Sequence, residues 1–151
     1  MADELDTVDA LAQISLLVQA TLERRAGEHG ISLTQSRLLE ILRDRIPTMN
    51  ELAVSLGLDK SSTSGLVDRA QRRGLVHRVP SQLDRRSVRV RLTDQGRMLV
   101  QGVTSAFADD VAAMLEPLPA EGRTALTAYL SKVLAAHTAT HGASHHTTAA
   151  R

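Results

Sequence analysis

The stretch Leu83-Asp-Arg-Arg-Ser-Val-Arg-Val-Arg-Leu-Thr-Asp-Gln-Gly96 decides the fold. Val88, Val90 and Leu92 fall on one side of an extended chain and Ser87, Arg89 and Arg91 on the other, because successive side chains of a strand point to opposite faces. One face is made to pack, the other to meet solvent or a polyanion. Asp84-Arg85-Arg86 stands where a hairpin tip belongs, and Thr93-Asp94-Gln95-Gly96 has the composition of a helix N-terminus. The segment reads as a charged β-hairpin leading directly into a helix.

Immediately upstream, Thr48-Met49-Asn50-Glu51 is a capping box, in which the threonine hydroxyl satisfies an amide one turn into the helix and the glutamate reaches back. It opens a short helix with Leu52, Ala53 and Leu56 inward, and Gly57 suits the left-handed residue that ends it. Leu58-Asp59 then starts a second helix through Leu66, Val67 and Ala70, which Gly74 closes. Short helix, glycine turn and second helix make a helix-turn-helix. The second helix begins Lys60-Ser61-Ser62-Thr63-Ser64-Gly65, residues too small and polar for a core. Such side chains let a helix N-terminus approach phosphates and base edges closely.

Further out, Leu5, Val8, Leu11, Ile14, Val18 and Leu22 recur at helical spacing and predict a helix from about residue 4 to Glu28, with Leu16 and Leu17 widening its apolar stripe. Thr34 is the expected N-cap of the next helix, which carries Leu38, Leu39, Ile41 and Leu42 and stops before Pro47. Beyond the hairpin, Val100, Val103, Phe107, Val111 and Leu115 mark a long helix ending at Pro117 and Pro119. Ala125, Leu126, Tyr129, Leu130, Val133 and Leu134 mark another. A small helix-turn-helix core cannot cover three stripes of this kind, and a two-fold dimer is the economical way to bury them.

Charge is distributed unevenly. From Asp59 to Arg97 there are ten Lys or Arg against four Asp, a local excess of six positive charges in a chain whose net charge is +1. The first 58 residues carry five basic against nine acidic side chains. A compact basic segment in an otherwise acidic chain is the footprint of a nucleic-acid surface. The 151 residues suffice for one core, and with aromatics at 1% that core is aliphatic. The absence of cysteine excludes disulfides and thiolate metal sites. No apolar run reaches membrane-spanning length and the N-terminus is acidic, so a cytoplasmic protein is expected.

Residues 58–97, with Leu-Asp-Lys-Ser-Ser-Thr-Ser-Gly-Leu-Val-Asp-Arg, then Arg-Arg-Gly-Leu-Val, Arg78, and Asp-Arg-Arg followed by Leu-Thr-Asp-Gln-Gly-Arg, resemble the recognition helix and wing of the MarR family of bacterial transcriptional regulators. The resemblance extends over roughly residues 5–137. It implies a mainly α fold: a winged helix-turn-helix with a small β-wing and terminal helices forming a dimerisation region. Residues 1–30 and 98–140 would form that region, 31–97 the DNA-binding lobe, and 141–151 a flexible tail. Carried over by position, Ser61, Ser62, Thr63, Ser64 and Arg69 would lie in or beside the major groove, with Lys60 at the helix start, and Arg86 would enter the minor groove. Asp84 either holds Arg86 by a charge-assisted bond or simply caps the turn. Arg85, Arg89 and Arg91 are expected on phosphate, which supplies affinity and salt dependence but little sequence information. For Arg72 and Arg73, at the end of the helix, a favourable interaction with its dipole is the simpler role. The chain departs from the family at Gly65, where relatives often carry a longer polar or basic side chain, and Pro80-Ser81-Gln82 lacks the acid common in the wing turn.

The implied function is a dimeric repressor of double-stranded DNA with a pseudo-palindromic operator, released by a small molecule. With Phe107 and Tyr129 the only aromatics, an aliphatic cleft is expected, and Arg24, Arg25, Arg37 and Arg43 are the cations that could pair with an anionic, largely apolar effector. No nucleophile-base motif, phosphate-binding glycine loop or carboxylate pair suggests an enzyme, and no cofactor is expected. His137, His141, His145 and His146 suit a metal by residue type, which leaves a metal-responsive regulator as an alternative, but their Ala/Thr/Ser-rich setting reads as a low-complexity tail. A winged helix used for protein interaction alone is the other alternative.

Overall fold

The computed structural model describes residues 5–81 and 87–142, with side chains as far as 137. In chain order the elements are α1 (Thr7–Glu28), α2 (Leu33–Asp44), α3 (Met49–Leu56), α4 (Lys60–Arg72), β1 (Val76–Pro80), β2 (Val88–Leu92), α5 (Asp94–Met114) and α6 (Ala120–Gly142). The chain divides into two compact units, residues 1–110 and 111–151, and the division falls inside α5.

The first unit is built on an aliphatic cluster. Leu38 and Leu39 of α2, Leu52 of α3, and Leu66, Val67 and Ala70 of α4 meet Leu75, Val76, Val90 and Leu92, all buried. Ala26 from α1 and Val100 and Val103 from α5 close its edge. Fully burying a Leu or Val side chain contributes roughly 1.5–3 kcal/mol, so a cluster of this size is the main stabilising term. β1 and β2 pair antiparallel with Val76 opposite Leu92 and Pro80 opposite Val88. The Val90 amide bonds the Pro47 carbonyl at 2.9 Å, which fastens the hairpin to the α2–α3 connection.

Local signals set the helix ends. Thr48 and Glu51 form the expected capping box, and Gly57 adopts the left-handed conformation (φ 64°) that ends α3. That conformation is costly for any residue with a Cβ, so the glycine fixes the tight turn between α3 and α4. Thr34, by contrast, is not the N-cap of α2. Ser32 is, with Gln35 completing a second capping box, because the serine-to-glutamine spacing satisfies two orphan amides at once. α1 starts at Thr7, where Asp6 accepts the Asp9 N–H at 2.8 Å.

The strand alternation holds where the core lies beneath it and fails beyond. Val90 and Leu92 are buried, whereas Val88, at the far end of β2, is 39% exposed. Leu5, just before α1, and Val8, Leu11, Ile14, Leu16 and Leu17 within it are all exposed, and burial begins at Thr21 and Ala26. In the second unit, none of the described side chains of residues 111–137 is buried, and Tyr129, Leu130, Val133 and Leu134 of α6 lie open.

Candidate nucleic-acid interface

α4 presents two faces. Thr63, Leu66, Val67 and Ala70 are buried, while Lys60, Ser61, Ser62 and Arg69 are exposed and Ser64 and Gly65 half-buried. Thr63 was expected at the surface with its neighbours and is instead 1% exposed. Its hydroxyl donates to the Asp59 carbonyl at 2.8 Å, which satisfies the polar atom inside the helix and leaves the methyl to pack. It cannot touch a base.

Asp59 organises the start of the helix. One carboxylate oxygen accepts the Ser62 N–H at 2.8 Å and the Ser61 hydroxyl at 2.9 Å, and the other accepts the Ser62 hydroxyl at 2.8 Å. These donors pull the Asp59 pKa down to about 2. Ser61 and Ser62 therefore turn their remaining lone pairs outward as acceptors, suited to base amino groups. A groove of about 380 Å³ runs beside them, lined by Ser61, Ser62, Gly65 and Arg69 of α4 and by Ser32 and Thr34 at the start of α2. The sequence reading did not place Ser32 or Thr34 at the interface, although the serine-to-glutamine spacing at 32–35 would have revealed the exposed helix end.

The basic residues separate into two groups. Arg73 donates to the carbonyls of Gly30 (2.6 Å) and His29 (3.0 Å), tying the end of α4 to the turn after α1. Arg78 on β1 pairs with Asp68 of α4 at 2.7 Å and donates to Gln71 at 2.8 Å. Arg89, expected on phosphate, is half-buried and gives one N–H to the Ile46 carbonyl at 3.1 Å, so part of its guanidinium is committed to the fold. Lys60, Arg69 and Arg91 are exposed and make no ion pair with a described residue. The expected tip residues Asp84, Arg85 and Arg86 lie outside the described residues, as do the side chains of His141, His145 and His146.

The four arginines singled out for an effector are not equivalent. Arg24 and Arg25 close on Asp110 of α5 at 2.9 and 2.7 Å, and Arg25 also pairs with Glu28. The Arg25 guanidinium holds the Asp110 carboxyl below its usual range. Arg43 pairs with Glu40 and Asp44. These three are occupied by neighbouring carboxylates. Arg37 makes no such pair with a described residue and lines a cavity of about 520 Å³ with Leu22, Ile41, Leu56, Phe107 and Glu40. Among the described residues no cluster of three or more His, Asp or Glu could hold a metal, and no helix is long and apolar enough to cross a membrane.

Known proteins share this arrangement. The MarR family model matches residues 29–87. The HTH-type transcriptional regulator PecS of Dickeya dadantii is 28% identical over 130 residues, covering 83% of this chain and 78% of that protein. The uncharacterized HTH-type transcriptional regulator YfiV of Bacillus subtilis is 34% identical over 74 residues, covering 48% of this chain and 46% of its own length. Wild-type MarR of E. coli in its apo form superposes with a TM-score of 0.76 at 23% identity, covering 87% of this chain and 98% of that one. MepR of S. aureus in complex with DNA superposes with a TM-score of 0.69 at 24% identity, covering 88% and 99%. A family model matched from the end of α1 to the residue before β2, and the same fold over most of the chain, make this a winged helix protein similar to the MarR family.

Proposed function

We propose that the chain is a cytoplasmic, dimeric transcriptional repressor that binds a pseudo-palindromic site in double-stranded DNA and is released by a small anionic, largely apolar effector. The observation that carries the DNA-binding part is the outward face of α4, where exposed hydroxyl acceptors and unpaired cations stand at the start of the second helix of a helix-turn-helix, with Arg91 exposed on the adjacent hairpin. A helix so equipped fits the major groove by its N-terminal residues, and two copies related by a two-fold axis sit about one DNA turn apart. The open apolar faces of α1 and α6 favour the dimer, since each leaves large side chains in water that a second copy would cover. Domain roles follow the same division: residues 31–97 for DNA, and 1–30 with 98–140 for association.

The effector reading rests on the cavity that Arg37 lines, because an apolar wall of Leu22, Ile41, Leu56 and Phe107 with one unengaged guanidinium, its carboxylate Glu40 being paired with Arg43, is complementary to a hydrophobic carboxylate.

Selection of bound sequences from random DNA with the full chain, followed by affinity measurements across salt, tests the DNA reading. Two symmetric subunits that each neutralise several phosphates give a slope of log K against log salt corresponding to roughly 6–10 contacts. A slope near zero would leave a module for protein interaction instead. For the effector, hydrophobic carboxylates should raise the melting temperature and release DNA from the wild type but not from Arg37→Ala. Release by cations or metals alone would reject this effector class.

A further inference from the structure

We propose that Arg69 reads a guanine in each half-site through the space left open by Gly65, so that the two residues act as one recognition element. The inference rests on the DNA-binding reading above and extends it to a base.

With 3.6 residues per turn, burial of Thr63, Leu66, Val67 and Ala70 turns Ser61, Gly65, Asp68 and Arg72 to the opposite side of α4. On that side the first two turns have little reach of their own. The Ser61 hydroxyl is held by Asp59, Asp68 is held by Arg78, and position 65 has no side chain. Arg69 stands one turn further on. Long helical side chains lean back toward the N-terminus, and its Nη1 reaches within 3.4 Å of the point a Cβ on Gly65 would occupy. The guanidinium thereby moves from the flank of the helix to the level of its second turn, beside Ser61 and Ser62 in the shared groove.

Its chemistry selects the base. Arg69 has no ion-pair partner among the described residues, so its planar fork of donors is available, and that fork matches the O6 and N7 acceptors of guanine bidentately. Lys60 is a point charge without that geometry, and of the two arginines in the last turn of α4 it is Arg69, not Arg72, that lines the groove beside Ser61 and Ser62. A side chain larger than alanine at position 65 would take the place the guanidinium uses.

The test uses the full chain and its selected operator, with every single-base replacement measured against wild type, Arg69→Ala and Gly65→Leu. The wild type is expected to prefer guanine at one position per half-site by roughly 5- to 150-fold. Arg69→Ala removes that preference, keeps those at other positions and leaves the salt slope unchanged. Gly65→Leu removes it with Arg69 still present, and melts no lower than wild type because leucine is the better helix former. Uniform weakening of all sequences by Arg69→Ala with a shallower salt slope would make the residue a phosphate contact and overturn the inference. So would a guanine preference that survives Gly65→Leu. A wild type that selects an operator but shows no guanine preference within it overturns this inference alone, whereas one that selects no sequence or shows no salt-dependent DNA binding overturns the underlying reading as well.

Discussion

The middle of this chain closes on itself and its ends do not. In the middle, Leu38, Leu39, Leu52, Val67, Val76, Val90 and Leu92, from three helices and both strands, are almost wholly buried, whereas Leu5, Val8, Leu11 and Ile14 at one end and Tyr129, Val133 and Leu134 at the other are 44–74% exposed. The same residue types are used in both places, so hydrophobicity alone does not tell a core from an interface. What differs is the surrounding pattern. The middle is punctuated by caps and glycine turns that fold short helices against one another; α1 and α6 are long helices whose apolar side chains lie largely exposed.

Breaking the ends should give the largest effect. Val133→Glu combined with Leu134→Glu should yield a monomer in analytical ultracentrifugation and cut operator affinity by roughly 100-fold or more, since two linked half-site contacts become one. A variant that stays dimeric would place the interface elsewhere. In the middle, Leu39→Ala is expected to cost about 2–5 kcal/mol in denaturant unfolding, while Leu11→Ala, measured on the monomeric variant, should cost far less. Equal losses would erase the distinction between the regions. Gly96→Ala sharpens it further: an added Cβ would lie 2.0 Å from the Leu75 carbonyl oxygen, and relieving that overlap should cost about 1–3 kcal/mol.

The smallest effect concerns pH. The Asp59 carboxyl is held at about 2, below its ordinary 3.8, by donors from Ser61 and Ser62. Its folded-state pKa is depressed, so its contribution to stability is complete above the ordinary value and is lost as the pH falls toward 2. Carboxyl carbon NMR should show that low midpoint, and Ser62→Ala should move it upward. An unshifted midpoint in both proteins would remove Asp59 as the organiser of the helix start.

Much of the fold was legible because its signals are local. The Thr48–Glu51 box, Gly57 and the alternation at Val90 and Leu92 each need only a few neighbouring residues to act. The site was less legible, because partnership is a matter of tertiary structure. Position in the helix separates Arg73 from Arg69 in the sequence, but nothing there shows that Arg73 is spent on the carbonyls of His29 and Gly30. The same holds for the four arginines considered for an effector, three of which are engaged by carboxylates, one as distant in sequence as Asp110. Thr63 shows the limit of reading by polarity: a hydroxyl that bonds its own helix makes threonine a core residue.

Thr93 joins three elements at one point. Its hydroxyl donates to the Gly74 carbonyl at 2.6 Å and accepts the Gly96 N–H at 3.0 Å, and its own amide bonds the Leu75 carbonyl at 3.0 Å. Gly74 in the turn after α4, the last position before α5 and Leu75 at the base of the hairpin are therefore pinned together. In mechanical terms this is a welded corner: a torque applied to the start of α5 turns the end of α4 and the root of the hairpin with it. In the proposed regulator the helix and the hairpin would then engage or leave a DNA duplex together.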